Sequence, residues 1–230
     1  PPLDRERLAF TALTDRHPDV VTAALGILEE CLDELPRRLF DWLNETSAPP
    51  RQQQQVLAYL ARQGVPRQPF EEFAARRLKD AAQMVHALRT LDLEAKRSDP
   101  GWTLVKMVLA ERFTQTLEVA LLAMENLGDS HSIRIVYVAL KSKDKRQVAR
   151  AREALANIAN SQLGAQLGQL LMVASDAQLR IDIPGVAGFK NPADALRWCA
   201  DHVDYWLKQC AQHALQAERA AHALAAAGGR

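Results

Sequence analysis

The run Ile133-Arg-Ile-Val-Tyr-Val-Ala-Leu-Lys-Ser-Lys-Asp-Lys-Arg-Gln-Val-Ala-Arg-Ala-Arg-Glu-Ala-Leu-Ala-Asn-Ile158 decides the fold class. Ile133, Val136, Tyr137 and Leu140 are separated by the steps that line one side of an α-helix. Lys141 to Lys143 breaks the pattern as a polar turn, and Val148, Ala151, Leu155 and Ile158 then restore it. Two such short helices cannot bury their apolar faces alone. They become stable when neighbouring pairs stack and share a continuous core.

The same periodicity extends in both directions. Downstream, a short helix is expected over Leu163 to Ala174, where Gly164, Ala165, Gly168 and Ala174 let a neighbouring backbone come close. Gly164-x-x-x-Gly168 reads as soluble close packing, because the apolar run around it is too short to span a bilayer. Ile181 to Phe189 carries Pro184, Gly185 and Gly188 and is expected to be loop. Asn191-Pro192-Ala-Asp resembles a helix cap and first turn, followed by Leu196, Trp198 and Cys199. The last helix begins near Asp204 and carries Trp206, Leu207, Cys210, Ala211, Ala214 and Leu215; Gly228-Gly229-Arg230 is expected to fray.

Upstream, Leu3 to Thr14 and then Val20, Ala24, Ile27 and Leu28 mark two helices, and Pro36 starts the next because its fixed φ suits a first helical turn. Leu39, Phe40, Trp42 and Leu43 precede a break at Thr46 to Pro50, and Arg51 to Gln63 is a further helix ended by Gly64-Val65-Pro66. Two longer segments follow, Pro69 to Leu93 and Trp102 to Gly128, joined by Ser98-Asp99-Pro100-Gly101. They are expected to pack as a hairpin over residues 69–127, with Arg112, Gln115 and Glu118 on its wetter side. The expectation is an all-α chain, a single domain over residues 1–227, built as a HEAT-like right-handed superhelix of antiparallel helix pairs.

Composition narrows the function classes. Of 230 residues, 48% are hydrophobic and 25% charged, which supports a folded core and argues against disorder. Twenty-nine Lys and Arg against 28 Asp and Glu leave +1, no reason to expect a protein that coats nucleic acid. Cys31, Cys199 and Cys210 are too few and scattered for a secreted disulfide framework, and no stretch of apolar residues suffices for a membrane span, so a reduced compartment is expected. The start at Pro1-Pro2, with no charged-then-apolar leader, suggests a fragment of a longer protein.

Several strings resemble a known arrangement. Leu35-Pro-Arg-Arg-Leu-Phe-Asp-Trp-Leu43, Pro50-Arg51 with Val56-Leu-Ala-Tyr-Leu-Ala-Arg-Gln-Gly64, the run Ile135 to Ile158, and Asp204-Tyr-Trp-Leu-Lys-Gln-Cys-Ala-Gln-His-Ala-Leu215 are similar to the HEAT-like region of bacterial fusion proteins. In that family the repeats accompany a nucleotide-translocase-like membrane domain and often a cyclic-nucleotide-binding domain. The similarity covers much of residues 15–215, but neither the membrane spans nor a cyclic-nucleotide pocket is present, so transport and nucleotide sensing do not transfer. The resemblance implies a cytoplasmic scaffold or regulatory coupling element, the soluble part of an inner-membrane-associated protein, with no cofactor.

Each candidate site also has a plainer explanation. Lys141, Lys143, Lys145, Arg146, Arg150 and Arg152, opposed by Asp144, give +5 within residues 141–152. This patch suits an acidic protein surface or anionic headgroups; a solvated helix face is the plain alternative, and nucleic acid is disfavoured because no aromatic residues interleave with the cations. Cys199-x-x-His202 and Cys210-x-x-His213 supply the ligand types of a structural zinc site, yet Cys packing beside Trp198 and Trp206 explains them more simply. Glu111, Glu118 and Glu125 share a helix face without a histidine at matching spacing, and Ser130-His131-Ser132 lacks an acid and an oxyanion hole, so neither is assigned catalysis. Arg76, Arg77, Lys79 and Asp80 read as a wet helix face, and Trp42, Trp102, Trp198 and Trp206 as core anchors.

The leading expectation is therefore a non-catalytic scaffold or interaction domain whose partner is another protein or domain. Its alternatives are a HEAT-like DNA-lesion glycosylase or nucleic-acid-binding protein, which needs a basic groove with an aromatic residue and a carboxylate, and a structural zinc-binding helical domain.

Overall fold

Prolines open the helices where the sequence places them, since a residue with fixed φ and no amide proton costs nothing in a first turn. In the computed structural model, which describes residues 2–92, 100–128, 130–141, 145–156, 161–175 and 181–228, the described residues form helices and irregular connections with no strand. The helices are α1 (Pro2–Ala12), α2 (Pro18–Cys31), α3 (Leu35–Glu45), α4 (Pro50–Arg62), α5 (Arg67–Asp92) and α6 (Pro100–Glu125). They continue as α7 (Ser130–Lys141), α8 (Lys145–Ala156), α9 (Ser161–Ser175), α10 (Pro192–Ala200) and α11 (Tyr205–Gly228). The protein is all-α, and among the described residues no helix is long and apolar enough to cross a membrane.

Boundaries follow local chemistry. Asn191 caps α10, its Oδ1 accepting the Asp194 amide proton at 2.9 Å. Gly64 adopts φ +71° just past α4, the left-handed conformation that ends a helix most cheaply in glycine. Residues 181–190 are irregular, as the Pro and Gly content requires.

α5 and α6 are the two 26-residue arms of an antiparallel pair: Lys106 bridges to Asp92 at 3.0 Å near one end, and Thr116 lies against Met84 further along. The second half of α6 is apolar almost all round, with Leu117, Val119, Ala120, Leu121, Leu122, Ala123 and Met124 all buried. Such a helix belongs in the middle of a fold. α4, α5, α7 and α11 pack around it, while α1 packs on α2, α7 on α8, α8 on α9 and α10 on α11. α9 and α10 also return to α5, so the C-terminal segments close against the central arms. α8 packs on α9, but a Cβ placed on Gly168 would meet Leu155 Cδ1 at an ordinary 3.6 Å, so the small residue is not required there by an unusually close approach of backbones.

Arg112, Gln115 and Glu118 do not form a wet side. Arg112 is largely buried and paired, and Glu118, half-buried, accepts a hydrogen bond from the Tyr137 hydroxyl, because α11 and α7 cover the faces left polar.

Candidate binding cleft

A cleft of about 340 Å³ opens where the end of α3, the start of α4, the middle of α5 and α6 and the α10–α11 turn converge. Its walls carry Arg76, Arg77 and Asp80 from α5, Arg112 and Gln115 from α6, Asn44 and Gln53 from α3 and α4, and Trp198, His202 and Asp204 from the C-terminal segment. Met84 and Val119 add an apolar floor. The volume is at the lower end of the range for small-ligand pockets, about 300–1,000 Å³.

Arg77 is the structural centre of this site. Only 9% exposed, it donates from Nη2 to the carbonyl of Leu43 in the last turn of α3, where a cation also meets the negative end of the helix dipole. Its Nη1 lies 3.6 Å from Asp80 Oδ2, and the guanidinium rides over the Phe73 ring with 5.1 Å to the centroid. Burial lowers its pKa from the ordinary value, an effect that Asp80 opposes and Arg76 reinforces, yet an arginine stays charged. Burial likewise raises the Asp80 carboxyl above the usual range, opposed by the Arg77 and Arg76 charges.

Asp204 does the corresponding work on the other wall. It is 4% exposed, its Oδ1 accepts the Leu207 amide proton at 2.8 Å as the cap of α11, and its Oδ2 lies 3.0 Å from Arg112 Nε. The Asp204 amide donates to His202 Nδ1 at 3.0 Å, and the His202 ring meets Trp198 edge-on with centroids 5.1 Å apart. Burial lowers the His202 pKa, Asp204 pulls it back up, and Arg77 and Arg112 lower it further. Nδ1 accepts the Asp204 amide proton, and burial favours the neutral ring that can do so.

Four buried polar atoms on cleft residues have no hydrogen-bond partner: Asn44 Oδ1, Gln53 Oε1, Arg77 Nε and Arg112 Nε, the last of which still lies within ion-pair distance of Asp204. Leaving such groups unmade costs about 1–3 kcal/mol each. Val203, on the cleft wall, is 60% exposed, and just past Asp204 the Tyr205 and Trp206 rings are 60% and 62% exposed and meet edge-to-face at 5.5 Å.

Several expectations change here. Arg77 is not on a wet face: Phe70, Phe73, Ala74, Leu78 and Ala81 bury the same side of α5, and that periodicity already includes position 77. Trp206 is not a core anchor, because Leu207 and Ala211 supply the inward face of α11 and turn the indole outward. Trp102 is buried, and Trp42 and Trp198 pack half-buried against the core. The four residues of the zinc reading do not converge: Cys199 is buried in the core, His213 is exposed, and among the described residues no group of three metal-binding side chains meets. Burial pushes the Cys199 thiol up to about 12, the opposite of a metal-ready thiolate.

In the basic patch Arg146 and Arg150 are exposed on α8; Lys143 and the side chains of Lys141, Lys145 and Arg152 lie outside the described residues. Glu111 accepts from Gln115 Nε2, Glu118 from Tyr137, and Glu125 borders a separate cleft of about 180 Å³ beside Tyr137, so the three carboxylates serve different neighbours. His131 is exposed and Ser132 buried. Comparison with protein-family models, with curated proteins and with solved structures returned no match.

Proposed function

We propose that this chain is a non-catalytic interaction domain that docks a segment of another protein, or of another domain of its own parent, at the mouth of the α5–α6 cleft. The observation that carries this reading is the exposure of Val203 on the cleft wall and of Tyr205 and Trp206 at the start of α11, on either side of the buried Asp204. Tyr and Trp are the residues that most often dominate binding energy, and an aromatic pair held clear of its own core offers them to a partner at little conformational cost. The Lys141 to Arg152 segment adds long-range attraction for an acidic partner.

The packing of α1 on α2, α5 on α6, α7 on α8 and α10 on α11 supports a fold built from HEAT-like antiparallel pairs, while the return of α10 to α5 and of α11 to α6 departs from a stack in which each pair touches only its neighbours. In this reading the domain is a cytoplasmic coupling element beside an inner-membrane partner, and what supports that is the resemblance to fusion-protein repeats. The test is selection from a randomised dodecapeptide library displayed on phage. Selected peptides should lose about tenfold or more in affinity for a Tyr205→Ala/Trp206→Ala variant that keeps the wild-type circular dichroism spectrum. Failure to select any peptide, or equal binding to the variant, overturns the reading.

A second reading has one observation in its favour: Trp198 shares the cleft with Asp80, Asp201 and Asp204 and with arginines, the constellation a lesion glycosylase needs. Against it, the cleft carries as many acidic as basic side chains, and the Trp198 ring is already engaged by Phe189 and His202. A duplex carrying an alkylated purine should release no base when incubated with the chain; release abolished by Asp80→Asn would establish the lesion reading instead.

A further inference from the structure

The segment that leads into α10 lies on α5 as a strap. Both its ends are anchored: Ile181 and Ile183 are buried, and at the other end the Phe189 ring meets Trp198 with centroids 5.7 Å apart. Between them Pro184 and Gly185 make a tight turn, in which the Val186 amide donates to the Ile183 carbonyl at 3.1 Å and Gly185 takes φ +81°, a conformation that suits glycine. From this turn to Gly188 the backbone follows one face of α5, past Lys79, Gln83 and His86.

Little holds the middle of the strap. Among the described residues its hydrogen bond to α5 runs from Gln83 Nε2 to the Ala187 carbonyl at 3.1 Å, a water-exposed bond that contributes little net. Its other contact is with His86. A Cβ built on Gly188 would stand 3.4 Å from His86 Nδ1, so the strap backbone sits against the edge of the imidazole with no room for a larger residue.

The strap thus covers a group that gains a charge near neutral pH, and it offers that charge nothing. A protonated imidazole carries two N–H donors, and with Gly188 against Nδ1 one of them is shut off from water. No carboxylate compensates. α9, which packs on α5, has no ionisable side chain, and among the charges described on α3, α5, α6, α10 and the loop, Asp182, Lys190, Arg112 and Asp194 included, only Arg89 acts on the ring, itself a cation. Burial first, and Arg89 second, hold the His86 pKa below the ordinary 6.5.

We propose that residues 184–189 form a pH-released strap: protonation of His86 lifts the Gly185 to Gly188 backbone from α5 and withdraws Phe189 from Trp198. Trp198 is a wall of the binding cleft, so the device loosens that wall as pH falls, whatever the cleft binds. The sign follows from linkage: the lifted state takes up the proton that the closed state refuses, and lower pH favours it.

The test follows the full chain by NMR between about pH 8 and about pH 5, a range that spans the ordinary titration of histidine. In the wild type the NOE between the Phe189 and Trp198 rings should fade with the same midpoint as the His86 ring shifts. His86→Gln, which fills the same place without titrating, should keep that NOE throughout. Gly188→Val puts a side chain where the imidazole stands, so it should lack the NOE already at about pH 8 and let the His86 midpoint rise toward 6.5. A wild-type NOE that persists through the His86 titration, its equal loss in His86→Gln, or an unchanged His86 midpoint in a Gly188→Val chain that has lost the NOE overturns the strap.

Discussion

Arg77 and Asp204 are buried charges, and each is retained by bonds to backbone as well as by an ionic partner. Replacing Arg77 with Met keeps the apolar stem over Phe73 but leaves the Leu43 carbonyl and Asp80 without their cation. The Arg77→Met variant should lose about 2–3 kcal/mol of stability, read as a lower urea midpoint at unchanged slope. Asp204→Asn keeps the cap of α11 and should cost less than Asp204→Ala, which loses the cap as well as the Arg112 partner. The histidines add a pH dependence. His202 and His86 both have folded pKa values lowered from 6.5 by burial, so below about 6.5 the unfolded chain binds protons that the folded chain refuses. Stability should therefore fall as pH drops through that region, opposed at His202 by Asp204 and reinforced by Arg77 and Arg112. The raised Asp80 pKa acts in a separate window just above 3.8, where it favours the folded state at the lower pH. Denaturation midpoints across pH should show a shallower slope for His202→Asn, whose carbonyl still accepts from the Asp204 amide.

At the scale of elements, glycine positions separate helix interiors from helix ends. Gly26 lies within α2 with nothing within 4 Å of an added Cβ, whereas Gly64 follows α4 at φ +71°. Gly26→Ala should raise stability by about 1 kcal/mol, and Gly64→Ala should lower it by about 1–2 kcal/mol. Thermal melts of the two variants, one above and one below wild type, check both signs. Thiol reactivity reports on the same packing. Cys31 is exposed at the end of α2, while Cys199 is buried in α10 with its pKa pushed up to about 12. Iodoacetamide should label Cys31 first and leave Cys199 unmodified until the chain unfolds, as peptide mass mapping will show.

For the whole molecule, the decisive event is the return of α10 and α11 to the central arms. A stack in which every pair touched only its neighbours would leave Arg112 and Trp198 far apart in space as they are in sequence. Packing α11 on α6 and α10 on α5 instead closes a cleft and leaves Tyr205 and Trp206 exposed at the start of α11, next in sequence to the cleft residue Asp204. The basic segment then acts at a distance. Reversing Lys145, Arg146 and Arg150 to Glu should slow association of an acidic selected peptide and flatten its salt dependence, with little change in dissociation, as stopped-flow Trp fluorescence will measure.

The helical class, the helix starts at Pro36 and Pro192 and the Asn191 cap were legible in the sequence, because period and caps are local properties of the chain, whereas Pro18 and Pro100, read as breaks, stand in first helical turns. Arg77 was half legible: its place in the stripe of Phe70, Phe73, Ala74 and Ala81 marks it as inward, but its charge argues for water, and only the Leu43 carbonyl and Asp80 tip that balance. The outward Trp206, the separation of the cysteine and histidine pairs and the cleft itself came only from the tertiary structure. Each depends on which face of one helix meets another distant in sequence, and hydrophobic periodicity identifies a buried face without naming the helix that covers it.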